Sequence, residues 1–438
     1  MLYKFFGAGL VFISSVLSAA FLGPEGRGLL TLVTNNLAMY SPVAGAFSEY
    51  ISYGINKRKH SPRAVFSTAL VYCLGFVTVV FVAALIATPW FWDSFWQGHP
   101  SQSMTWWIAG LVAPFALFHV YVTRLIWGLN ELEWLNRLNT VQSLLFIPMM
   151  LTAVLWSDDL GYRICFVFVA WLASFVLTSL LSAYVAVKKG KVSLRPKVDA
   201  GIRKEIFTYG RQLAGSRLLT QINARIDFYL VMFIIGAEAA GIYSIAVTVA
   251  DMLLFMSSSL LQVVLTRVSS LEEKDSILLT ARTFRHTGVI MAASLLLFYL
   301  VMPYVIVIAY DERFAPALDS YYILLPGMAL LGMTNILTTY FTNQLGKPRL
   351  LIFLEGTSIL TNVSLTLLFV GGLHLGAEGV ATAKAIGYSI IFLVALIYFC
   401  KATRYPIFQM FVLQPDEIAQ YKNLIGKIAG RLRKKDQR

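Results

Sequence analysis

The 438-residue chain is 58% hydrophobic and only 13% charged, about half the charged share of an average soluble domain, and its mean hydropathy is +0.69. So few charges cannot cover so apolar a core in water, which excludes a string of soluble domains and leaves a membrane protein. Lys and Arg outnumber Asp and Glu by 36 to 23, for a formal net charge of +13, which in a multi-span protein reflects basic loops and not nucleic-acid binding.

Twelve apolar runs of about 20 residues or more, too long for barrel strands, predict an all-α polytopic membrane protein. In chain order they cover roughly 3–22, 28–54, 64–90, 104–128, 136–157, 161–187, 206–236, 240–266, 286–309, 320–345, 350–372 and 376–400. The first, behind Lys4, reads as a spanning helix because no Ala-x-Ala cleavage pattern leads into a soluble domain. The basic connection 188–204 separates an N-terminal six-helix bundle (1–187) from a C-terminal one (205–400), and a basic tail occupies 401–438. In that tail Ile418, Tyr421, Leu424, Ile425 and Ile428 fall near helical spacing before Arg431, Arg433, Lys434 and Lys435. This pattern suits either an amphipathic helix on an anionic leaflet or a disordered basic tail.

The loops alternate in charge. One set carries Lys57, Arg58, Lys59 and Arg63, then Arg137, the Lys/Arg of 188–204, Arg267, Lys274, Arg282 and Arg285, and Lys347 and Arg349, with Lys4 and the tail on the same side; the other offers only Arg27, Arg163 and Arg313. By the positive-inside rule both termini are expected in the cytoplasm. The outer stretch Trp90–Trp96 suits the headgroup interface, or else a buried aromatic cluster. Cys73, Cys165 and Cys400 stand alone in apolar runs, without the spacing of a disulfide framework, zinc site or redox motif.

A short motif recurs where loops enter helices: Leu22-Gly23-Pro24-Glu25-Gly26-Arg27-Gly28 and Ile235-Gly236-Ala237-Glu238-Ala239-Ala240-Gly241 are offset by 236 − 23 = 213. Leu160-Gly161 and Leu375-Gly376 repeat at 376 − 161 = 215. Two matches at nearly one offset read as a duplication. Because six is even, the copies should be related by a pseudo-two-fold along the membrane normal, with a pathway between them. Breaks such as Ser41-Pro42-Val43-Ala44-Gly45 either permit bending or let helices pack closely.

The LGPEGRG stretch at 22–28 and the segment IGAEAAGIYSIAVTVADMLLFMSSSLLQVVL beginning at Ile235 resemble Wzx-type oligosaccharide flippases of the multidrug/oligosaccharidyl-lipid/polysaccharide superfamily. The resemblance implies two six-helix bundles that move a polyprenyl-diphosphate-linked oligosaccharide across a bacterial cytoplasmic (inner) membrane for surface polysaccharide. It implies no cofactor. Its expected partners are that lipid-linked glycan, membrane lipids and other polysaccharide-assembly membrane proteins, with no nucleic acid.

Charges inside spans mark candidate sites. Arg217, Gln221 and Arg225 lie at i, i+4 and i+8, one polar stripe on the seventh run, suited to binding phosphate oxygens. Lys384 in the twelfth is a further candidate phosphate contact, or a side chain snorkelling outward. Asp227 and Asp251 are candidates for ion coupling or for charge pairing, with Asp251 the better-placed partner for Arg225. Glu49, Arg124, Arg211 and Glu355 lie nearer helix ends, where end pairing or snorkelling is the expected role. Thr334, Asn335, Thr338, Thr339, Asn343 and Gln344 offer hydrogen bonds to sugars or, as the stronger expectation, to neighbouring helices. The leading expectation is a non-enzymatic flippase, and the alternative a multidrug or other small-molecule exporter on the same scaffold. A glycan polymerase or ligase finds neither an outer-loop domain nor a His motif here.

Overall fold

The computed structural model describes residues 2–95, 100–156, 159–268, 272–415 and 417–419. These form α1 (Leu2–Asn56), α2 (Pro62–Phe95), α3 (Pro100–Gly128), α4 (Leu132–Leu155), α5 (Leu160–Lys188), α6 (Ala200–Ile234), α7 (Ala237–Val268), α8 (Glu273–Tyr310), α9 (Ala317–Asn343), α10 (Pro348–Thr366) and α11 (Ala377–Thr403). The first two predicted runs lie in α1, on either side of a break at Gly23, where φ is 65°. Gly236, its counterpart in the repeat, separates α6 from α7 at φ 133°. Both positions need a backbone that side-chain-bearing residues rarely adopt, which is why glycine ends a helix at each. Asp159 and Asp199 begin α5 and α6 by accepting hydrogen bonds from first-turn N–H groups. The α10 helix continues into a π-helical stretch over Leu367–Gly372.

Among the described residues, ten helices are long and apolar enough to cross a membrane; α6 is as long but too polar to meet that measure. The chain is therefore a multi-pass membrane protein. Helices α2–α5 pack chiefly on one another and on α1, and α8–α11 chiefly on one another and on α7, while α1 runs along α6 and α7 more extensively than along any helix of its own half. The Phe47 ring fills the space beside Gly210, and Tyr229 donates to Asn36 Oδ1 at 2.6 Å, so α1 and α6 interlock along their lengths.

The buried side chains divide unevenly. Toward the glycine turns, Ala19, Leu29 and Val33 of α1 share one core with Tyr243 and Ala246 of α7 and Phe314 beyond α8. Toward the basic loops, Phe47, Ile51, Phe66, Tyr121 and Val185 form a second core that takes in Ile202 and Ile206 of α6 and, among the described residues, none of α7–α11. The second half thus shares a core with the first at the glycine-turn end, whereas at the basic end it joins the core of α1–α5 through the start of α6.

The sequence places Arg282 and Arg285 in a loop, whereas both lie in α8, which starts at Glu273. The reason is the chain beyond α11, which folds back on α8. Arg285 donates through Nε and Nη2 to the two Glu417 carboxylate oxygens at 2.9 and 2.7 Å, and through Nη1 to the Gln409 carbonyl at 2.9 Å. Burial pushes the Glu417 carboxyl up, but the Arg285 hydrogen bonds and the Gln414 N–H outweigh it and hold the group below the usual glutamate range. A depressed carboxylate contributes its stability above the unfolded value and loses it as pH falls through the folded one, so this clamp weakens only in acid. The rest of the tail pattern, from Tyr421 to Lys435, and the side chains of Trp90–Trp96 lie outside the described residues.

Candidate functional site

Helix α6 carries two polar faces, and its neighbours sort the charges between them. On the first, Arg217 donates through Nη2 to Glu49 Oε1 at 3.0 Å, and Arg124 of α3 reaches the same oxygen at 3.3 Å. One carboxylate serves two guanidinium groups, leaving a net positive charge with Arg217 half exposed. Eight residues on, or about 12 Å along the axis, Arg225 meets Asp251 of α7 at 3.5 Å. That is longer than the roughly 2.7–2.9 Å of a good charge-assisted hydrogen bond. The two side chains are 33% and 36% exposed, so the pair remains accessible. Gln221 lies half-buried between the arginines.

The second face is sealed. Lys384 of α11 donates to Asp227 Oδ2 at 2.8 Å and to the Ala224 carbonyl at 3.2 Å, and Tyr243 of α7 donates to the same carboxylate oxygen at 2.7 Å. Lys384 and Asp227 are each 1% exposed, so Lys384 does not snorkel and its ammonium is engaged inside the protein. One turn away, Glu355 of α10 accepts from Asn223 at 2.6 Å and Thr220 at 3.0 Å, with no cation at ion-pair distance among the described residues. Thr220, Asn223 and Asp227 stand at i, i+3 and i+7, a second stripe that sequence reasoning overlooked although its spacing is helical. Glu355 is buried between helices, where neither end pairing nor snorkelling describes it.

Arg27 is a further departure from the sequence reading. It belongs to α1, past the Gly23 break, and turns inward to donate to Ser18 at 2.6 Å, Ser15 at 3.0 Å and Ser244 at 3.3 Å. It lines a cavity of about 210 Å³ together with Gln142 and Thr248. Ser244, Thr248 and Asp251 share one face of α7, so this cavity and the Arg225–Asp251 pair lie along the same line. In α9, Thr334, Thr338, Thr339 and Thr342 donate to carbonyls of their own helix and not to neighbouring helices. Arg211 lies over the Phe207 ring, 5.8 Å from its centroid.

The repeated motifs meet each other. A Cβ at Gly28 would run into the Ala237 carbonyl, and one at Gly241 into the Pro24 carbonyl. Since 28 + 213 = 241 and 24 + 213 = 237, the two contacts are the same contact read from either copy. The halves thus close on one another at the glycine-turn end through a reciprocal backbone approach that only glycine permits.

Among solved structures, the fold is similar to an inward-facing multidrug resistance MATE family transporter of the MOP superfamily, at 17% identity, TM-score 0.72, covering 91% of this chain and 94% of that one. It is equally similar to the lipid II flippase MurJ in an inward closed conformation, at 14% identity, TM-score 0.72, covering 93% and 88%. An outward-facing MATE structure matches at 17% identity and TM-score 0.66, covering 91% and 92%. These likenesses concern the fold. No curated relative matches in sequence. Residues 1–272, more than half of the chain, match the model of the polysaccharide biosynthesis protein family, and the chain belongs to that family.

Proposed function

We propose that this chain translocates a polyprenyl-diphosphate-linked oligosaccharide across the bacterial cytoplasmic membrane for surface polysaccharide assembly. Both termini and the basic loops lie in the cytoplasm, and residues 1–187 and 205–400 act as the two moving halves. The observation that carries the reading is the accessible cationic stripe: Arg217 shares its carboxylate with Arg124, and Arg225 is only loosely held by Asp251. A diphosphate needs guanidinium partners while its head group crosses the apolar layer. Gln221 between the arginines supplies an amide to the same path, and Arg27 extends it toward the glycine turns. Among the described residues the basic-end core of α1–α6 takes in none of α7–α11, which supports an opening between them on that side, and the glycine contact supports closure on the other. Alternation between these two arrangements would move the head group while the lipid tail stays in the bilayer.

In this reading Lys384 and Asp227 hold α6, α7 and α11 together and do not contact substrate. The same sealing disfavours a cationic-drug exporter that binds through Asp227, because Lys384 already occupies that carboxylate. The test is binding of a polyprenyl-diphosphate glycan to purified protein at matched salt and folding. Arg217→Ala and Arg225→Ala should each weaken it about ten- to a hundredfold, the worth of a hydrogen bond to a charged group. Tight binding unmoved by either change removes the site. No binding by the unaltered protein, together with saturable efflux of a cationic dye, replaces the substrate class with that of the exporter.

A further inference from the structure

A second basic site lies at the basic end of the first half and shares no lining residue with the path just described. The linker segment 197–199 is laid against the first turns of α2. The Lys197 N–H donates to the Ser67 carbonyl at 3.3 Å, Thr68 Oγ1 donates to the Lys197 carbonyl at 3.1 Å, and the Asp199 N–H donates to Thr68 Oγ1 at 3.2 Å. Thr68 is fully buried, so this junction is part of the built structure. Above it opens a cleft of about 560 Å³, lined by Arg63, Arg195 and Lys197 together with the hydroxyls of Ser61, Ser67 and Ser193. None of the three cations has a carboxylate at ion-pair distance among the described residues. The acid on the rim, Asp199, is engaged with the Gly201 and Ile202 N–H groups of its own helix, both at 3.0 Å.

The position of the cleft decides between ligands. Arg63 is the second residue of α2, whose membrane-spanning stretch is Pro62–Val82, so the cleft sits at the membrane boundary on the basic face. Seven residues beyond Ser67, on the same face of α2, Leu74 is 54% exposed, and Phe81 continues the row. A phosphate seated among the three cations would therefore leave its acyl chains running along an apolar, outward-facing stripe, which a soluble phosphate compound would not use. Basic pockets at this depth recognise anionic head groups. We propose that this cleft binds the phosphate of an anionic phospholipid and so fastens the linker between the two halves to α2.

The test takes delipidated full-length protein in detergent and adds phosphatidylglycerol, phosphatidylcholine or inorganic phosphate, with bound lipid counted by native mass spectrometry. Phosphatidylglycerol should be retained in preference to phosphatidylcholine. The triple change Arg63→Gln, Arg195→Gln and Lys197→Gln should lower its affinity by about fivefold for each cation removed. The charge-matched change Arg349→Gln, Lys401→Gln and Arg404→Gln, elsewhere on the basic face, should leave it unaltered. Because Arg195 is exposed on the linker, Arg195→Gln alone gives a reading should the triple variant fold poorly. Equal losses in both triple variants, or equal retention of the two lipids, would overturn the proposal. Binding of inorganic phosphate that depends on the three cations, without lipid preference, would reassign the cleft to a soluble phosphate compound.

Discussion

Lys384→Ala should destabilise the protein by about 3–5 kcal/mol, the cost of leaving one member of a buried ion pair without its partner. Lys384 and Asp227 are each 1% exposed, and their 2.8 Å contact is reinforced by the Tyr243 hydroxyl on the same oxygen. Removing the ammonium leaves a carboxylate with one neutral donor in a place water does not reach. Asp227→Asn should be costly for the converse reason, since it strands the lysine. The double change Lys384→Met with Asp227→Asn should recover most of the loss, because no charge is then stranded and the asparagine still accepts from Tyr243. The measurement is reversible unfolding in detergent or bicelles of the parent, Lys384→Met, Asp227→Asn and their double variant, read as a double-mutant cycle, with Lys384→Ala alongside. A single-variant loss under about 1 kcal/mol would mean that the pair is not a structural tie, and would return Lys384 to the group of substrate contacts.

Leucine at Gly28 or Gly241 should hold the glycine-turn end apart. The obstruction is a backbone carbonyl in each case, Ala237 or Pro24, so no rotamer change relieves it. Overpacking of this kind costs about 1–3 kcal/mol, enough to shift an equilibrium between closed and open arrangements by about five- to more than a hundredfold. Glu25 and Glu238 are exposed and occupy equivalent places in the two copies, since 25 + 213 = 238. Spin labels at these positions should report a short distance in the parent protein and a longer, broader distribution in either leucine variant. Because the contact is reciprocal, the two variants should behave alike. An unchanged distance in both would show that the motif contact does not set the closed state.

Much of this architecture is legible from hydropathy, because lipid forces backbone polar groups into helices and each span needs about 20 apolar residues. The motif at Gly23 and Gly236 was visible as a repeat, and both glycines prove to be backbone turns with positive φ. That Gly28 and Gly241 touch could not be read from either copy alone, since the contact exists only once the halves pack. The arginine stripe of α6 follows from i, i+4 spacing, and so does the opposite stripe of Thr220, Asn223 and Asp227. Which stripe stays accessible depends on α10 and α11, whose orientation no local pattern specifies. Arg27 and Arg285 show the same limit. Each follows loop statistics in the sequence, yet each is satisfied from far along the chain, by Ser244 in one case and Glu417 in the other.

Translocation in proteoliposomes reports directly whether a lipid-linked anionic glycan moves from one leaflet to the other. A polyprenyl-diphosphate oligosaccharide is placed in both leaflets, and a membrane-impermeant sugar-modifying enzyme is added outside. With the protein present, the modified fraction should rise from the outer-leaflet share to nearly all of the lipid, and Arg217→Ala with Arg225→Ala should slow that rise. A modified fraction that stays at the outer-leaflet share, as in protein-free vesicles, would contradict the account.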